Sequence, residues 1–217
     1  MSKARRIFLL SPANAAGIRA RIVASENASF ELATRLRGEG APLGDVFAFI
    51  SGLYFRGKLA YAQRFAEARA GIPGASVITA SGGLIPPETM ITTKDLAAIS
   101  AGSISIADPR YREPLERDAR AICELAGPKC EVVLLGSVAT PKYVEPLLAI
   151  FGERLLFPIE FVGRGDMSRG GLMLRSARSG EQLTYVPVAS AVLHGPRPEK
   201  LPKLPRDYYE QLKHNSR

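Results

Sequence analysis

The chain has 217 residues, 46% apolar and 23% charged, with a formal net charge of +8. That length suits one substantial α/β domain with an ordinary globular balance. Two cysteines and two histidines make neither a disulfide framework nor a zinc or haem centre, so Cys123 and Cys130 read as reduced structural thiols and no cofactor is expected.

The first element is the apolar run Arg6-Ile-Phe-Leu-Leu-Ser11, a central strand running into the loop Ser11–Gly17. Its apolar part is too short for a signal peptide or a membrane span, so a cytoplasmic protein is expected; a monomer is expected as well. Residues 20–37 read as one helix and a turn, and residues 45–69 as largely helical. Ala75–Ala80 is a second strand, ending in the loop Ser81–Pro87. Thr92 or Thr93 can cap a helix through Ile99. Tyr111–Leu125 is a mixed-charge helix, and Glu131–Gly136 a third strand. Thr140 caps a helix with Pro141 at its first position, running to Phe151. Arg154–Pro158 supplies the fourth strand. Leu172–Arg178, Ser179-Gly180 and Gln182–Val188 then read as a β-hairpin. Four short apolar strands separated by helices predict a mainly parallel sheet with helices on both faces. Residues 1–195 form one domain on this reading, and residues 196–217 a basic, proline-rich tail.

Ligands of such sheets bind beyond the carboxyl ends of the strands. The loops there are Ser11–Gly17, Ser81–Pro87, Gly136–Thr140 and Val162–Gly171. The last is the most distinctive, since Phe161-Val-Gly-Arg-Gly-Asp-Met-Ser-Arg-Gly-Gly171 combines four glycines, two arginines and one acid. Glycines permit close ligand approach, and arginine forks with backbone N–H groups hold phosphate. A flexible loop with salt-bridged charges is the plainer alternative. The charge is segregated: +5 over residues 1–25, −1 over 26–159 and +4 over 160–217. If the two ends meet, they make a basic face suited to nucleic acid. Simple solubility charge would give the same totals.

Gly52-Leu-Tyr-Phe-Arg-Gly-Lys58 matches seven positions of a phosphate-binding Walker loop, but Leu59 stands where a magnesium-holding Ser or Thr is needed. A helix start that presents Tyr54, Phe55, Arg56 and Lys58 to a nucleobase and its phosphate reads better. Both aromatics belonging to the core is equally open. No Gly-x-Gly-x-x-Gly follows the first strand, which sets aside a dinucleotide oxidoreductase. No Gly-x-Ser-x-Gly elbow supports a hydrolase triad. Asn14 can orient water or simply hold a turn. His194 can stabilise a developing oxyanion or serve structure alone.

A parallel core with Asn14 in its first loop and basic residues in its last resembles the uracil-DNA glycosylase superfamily. Ser11-Pro-Ala-Asn14-Ala corresponds to the loop that orients the attacking water there. The loop at 163–171 corresponds by position only to the one that stabilises the leaving base, and His194-Gly-Pro-Arg-Pro198 has some likeness to it. The segments Tyr54–Ala66, Thr79–Leu84 and Val132–Tyr143 look like a bacterial domain of this core. The resemblance implies base excision, including defence against phage with modified bases. The expected activity is hydrolysis of the N-glycosidic bond of a base flipped out of DNA. Asp166, Asn14 and His194 are its candidate catalytic groups. Tyr54, Phe55, Ser81 and Ser11 are the base pocket, and Arg56, Lys58, Arg164, Ser168, Arg169 and Arg197 the DNA contacts. A non-catalytic nucleic-acid or nucleotide-binding module is the alternative.

Overall fold

A computed structural model describes residues 5–191, 195–196 and 198–202. The predicted strands are present: β1 (Arg6–Leu10), and, numbered in chain order, β3 (Ala75–Ile78), β6 (Glu131–Leu135) and β7 (Leu155–Pro158). β1 lies between β3 and β6, and β7 flanks β6, all parallel. Ile7, Phe8, Leu9 and Leu10 are all buried. Strands covered on both faces read as unbroken apolar runs for that reason. The sheet has six strands rather than four, because each edge carries a short antiparallel strand. β4 (Leu84–Ile85) pairs with β3, and β8 (Tyr185–Pro187) with β7. The two residues of β4 carry too little pattern to be read from sequence, whereas β8 falls within residues 182–188, read there as one arm of a hairpin. The order is β4-β3-β1-β6-β7-β8. A separate small ribbon pairs β2 (Ala41–Pro42) with β5 (Met90–Ile91).

Helices fill the intervals: α1 (Ile18–Ala24), α2 (Glu31–Arg37), α3 (Leu43–Ser51), α4 (Leu53–Phe65), α5 (Thr93–Ala101), α6 (Pro109–Ala126) and α7 (Pro141–Phe151). Gly52, at φ +62°, separates α3 from α4. Thr92 closes the expected cap on α5, reciprocated by Asp95. Pro141 opens α7 as predicted, although the Thr140 side chain makes no capping bond. The chain moves from β1 to β3 on one side, then returns past β1 to β6. With right-handed crossovers, the two connections lie on opposite faces. Phe8 meets Tyr61 of α4 edge-on at 5.7 Å on one of them, and α6 packs along α7 elsewhere. None of the described helices is long and apolar enough to cross a membrane.

The expected hairpin is absent. Leu172–Arg178 lie in α8 (Asp166–Ser179), and Tyr185–Pro187 pair with β7 instead. Gly170, Met173 and Leu174 are buried, which is helical rather than alternating spacing. Ser179-Gly180 ends that helix, with Gly180 left-handed at φ +76°. A glycine after a helix and a glycine in a hairpin turn look alike in sequence.

α8 also takes over most of the glycine-rich segment, leaving residues 163–165 as the loop. Gly170 serves packing. A Cβ there would stand 2.7 Å from the Leu53 carbonyl oxygen. A Cβ on Gly57 would stand 2.6 Å from that of Gly170. α4 and α8 thus touch backbone to backbone. Gly57→Ala is expected to lower stability by about 1–3 kcal/mol, the usual cost of overpacking, read as a shifted urea midpoint. An unchanged midpoint would contradict this close approach.

Candidate active site

The order of the sheet reverses between β1 and β6, which is where open α/β sheets bind ligands. Ser11 and Gly136 directly follow those two strands. The Ser11 amide donates to the Leu135 carbonyl at 3.1 Å. A Cβ on Gly136 would come within 2.9 Å of the Ser11 Cβ, so glycine is required for the two loops to lie so close. Ser11 itself is 6% exposed.

Over Ser11 lies one face of α4. Positions 54, 58, 61, 62 and 65 of that helix are all buried, spaced as one stripe. Lys58 occupies the stripe, with no exposure at all. Its Nζ donates to the Ser11 carbonyl at 2.5 Å and to the Ser11 Oγ at 2.9 Å. The rings of Tyr54 and Phe55 approach the amine at 4.3 and 5.0 Å. Burial pushes the Lys58 pKa down to about 7, with Asp166 pulling it partly back.

Tyr54, one turn before Lys58, is buried, and its hydroxyl has no hydrogen-bond partner among the described residues. Burial raises its pKa; the nearby Arg169 lowers it and Asp166 raises it further. Ser11 and Arg169 adjoin this hydroxyl without closing a hydrogen bond. Tyr143, in the first turn of α7, is buried, and its pKa is raised by burial and then by Tyr54 and Asp166. Asp166 opens α8 with an exposed carboxylate 4.0 Å from the Arg169 guanidinium. Five side chains from β1's end and from α4, α7 and α8 therefore converge: Ser11, Tyr54, Lys58, Tyr143 and Asp166. α7 and α8 start at this edge with no side-chain cap, leaving first-turn N–H groups for anions.

Beside Asp166 a cavity of about 490 Å³ opens between the start of α8 and residues 198–202, lined among others by Arg164, Ser168, Arg175 and Lys200. The arginines are not idle. Arg164 donates to the Glu160 and Glu199 carbonyls and to the Ser168 hydroxyl. Arg169 lies outside the lining and holds the Phe161 carbonyl through two nitrogens. Reversing Arg169 would therefore damage the fold as well as any DNA contact.

The other expected residues scatter. Phe55 is fully buried and meets Phe47 edge-on at 5.4 Å, so its ring is core and no base can stack on it. Lys58, expected as a phosphate contact, is instead sealed inside. Arg56 points away to a cavity with Glu31 and Asp45. Ser81 donates to the Ala98 carbonyl. Asn14 is exposed, accepts from the Ala16 amide at 3.2 Å, and lines a separate cavity with Ala80 and Ser103. It holds its own turn rather than joining Asp166. His194 and Arg197 lie outside the described residues. Sequence reasoning missed Tyr143, and it missed the burial of Lys58, although a lysine on an apolar helical stripe was a readable signal.

No family model, curated protein or solved structure matches the chain.

Proposed function

We propose that the chain hydrolyses the N-glycosidic bond of a base flipped out of DNA. The observation that carries this reading is the convergence of an exposed carboxylate with buried hydroxyls at the reversal point of the sheet. Cleavage builds positive charge on the sugar and negative charge on the departing base. Asp166 stabilises the first and directs water to C1′. The buried Tyr54 and Tyr143 lie near this carboxylate, which feels both. Arg164, Arg175 and Lys200 line the adjoining cavity, where backbone phosphates fit. The reading extends the resemblance to uracil-DNA glycosylases, with Asp166 in place of Asn14 as the principal group. A glycosylase-like ancestry of the sheet belongs to the same proposal.

Two measurements test it. Affinity for duplex DNA should fall steeply with salt, since each phosphate contact releases counterions; affinity unchanged by salt would sink the phosphate cleft. Alkali treatment of a panel of modified-base DNAs should reveal strand breaks after incubation with the protein. Tight, salt-sensitive binding with no alkali-labile sites would assign the chain to a non-catalytic binding module.

A further inference from the structure

The cavity beside Asp166 has two walls of different kinds. One is α8 with the turn before it. Arg164, Ser168, Gly171 and Arg175 line it there, at the spacing of one helical face. The other wall is residues 198–202, which belong to no helix or strand. This segment runs in the same direction as α8. Ahead of it, the Pro196 carbonyl oxygen lies so close to Gly163 that any Cβ at that glycine would overlap it. Next, Arg164 donates to the Glu199 carbonyl at 3.3 Å. Further along the helix, Arg175 donates to the Pro202 carbonyl. Pro198 and Leu201 are half-buried, while Glu199 and Lys200 between them are exposed. A segment with so few buried groups belongs to the low-stability end of a fold and opens readily.

The segment meets α8 as a DNA backbone would. Its carbonyl oxygens sit on the two guanidinium groups, where phosphate oxygens would bind. It also brings Glu199, the one acid among the described residues of a lining that holds Arg164, Arg175 and Lys200. A phosphate offers a guanidinium two charged oxygens where a carbonyl offers one neutral oxygen, so the exchange favours DNA.

We propose that residues 198–202 are an autoinhibitory strap: they close the cavity by holding Arg164 and Arg175, and DNA enters by displacing them. This rests on the reading of the cavity as the phosphate site. Strap and phosphate compete for the same two side chains. The measured affinity is then the intrinsic one reduced by the fraction of chains with the strap open. A change that loosens the strap raises affinity without adding any contact to DNA. Lys200 rides on the strap, so the closed cavity still draws phosphate towards its mouth.

The test uses the full chain and two variants that alter no charge. Pro198→Gly combined with Leu201→Gly removes the half-buried side chains of the strap. Gly163→Ala sets a Cβ against the Pro196 carbonyl from the other side. Trypsin cleavage after Lys200, followed by mass spectrometry without DNA, reports how often the strap is open. Titration with one DNA duplex at fixed salt gives the affinity. Both variants should be cut faster after Lys200 than the wild type, and should bind DNA about 10-fold more tightly. Should Gly163→Ala disturb the turn before α8, the strap variant alone decides. Faster cleavage with unchanged or weaker binding overturns the strap while leaving the phosphate cleft standing. Cleavage at the wild-type rate in both variants overturns it too, since these contacts would then not hold the segment. Binding of DNA by none of the three chains overturns the cleft, and the strap with it.

Discussion

Lys58→Met is expected to remove a rise in stability with pH that the wild-type chain carries through this one side chain. The folded-state pKa of Lys58 is about 7, against 10.5 for an unburied lysine. Below the lower value both folded and unfolded chains hold the proton, and the burial cost is present in full. Between the two values the unfolded chain holds a proton that the folded chain has released. Stability therefore rises with pH across that interval, by about 1.4 kcal/mol per unit for one proton. Methionine fills the same space and cannot be charged. It also strips the Ser11 carbonyl of its donor, at about 1–3 kcal/mol. Lys58→Met should thus be less stable than wild type near pH 9, and as stable or more stable near pH 6. Tyrosines with raised pKa values, and the buried Cys130 thiol, titrate towards the alkaline end. They are common to both chains and cancel in the difference. Urea midpoints at a series of pH values check this. A difference that does not change with pH would mean that Lys58 is not held neutral.

Asp166→Asn is expected to slow base release by about 10²–10⁴-fold while leaving DNA affinity intact. Asparagine keeps the size and the hydrogen-bonding capacity at the start of α8, but not the charge that a cationic sugar needs. The side chain is exposed, and its ion pair with Arg169 spans 4.0 Å, so the fold should be unmoved. Asn14→Ala should cost far less, since that amide bonds within its own turn. Comparable losses from the two variants would return the principal role to the first loop.

How far the sequence was legible depends on whether local pattern or tertiary contact decided each feature. β1, β3, β6 and β7 were readable because strands buried on both faces must be apolar throughout, and flanking turn residues bound them. Pro141 at the head of α7 was readable because its fixed φ suits a first turn. Residues 172–178 were misread because Ser179-Gly180 serves a helix end as well as a hairpin. The glycines were given to ligand binding, but Gly57 and Gly170 exist for each other, and a pair separated by more than a hundred residues leaves no local trace. That Asp166 follows β7 by a short connection was readable from the order of strand and loop. Its neighbours were not, because Lys58 was counted as a surface base. On α4 it falls between Tyr54 and Tyr61, on the side that faces the sheet.

The central claim is that the carboxylate of Asp166 serves glycosidic hydrolysis at the reversal point of the sheet. Mass spectrometry of free bases released from modified-base DNA, by the wild-type chain and by Asp166→Asn at matched DNA occupancy, tests it most directly. The account predicts a free base and an abasic strand from the wild type, and almost none from the variant. Equal release from both, or no released base from any DNA that the protein binds, would contradict it.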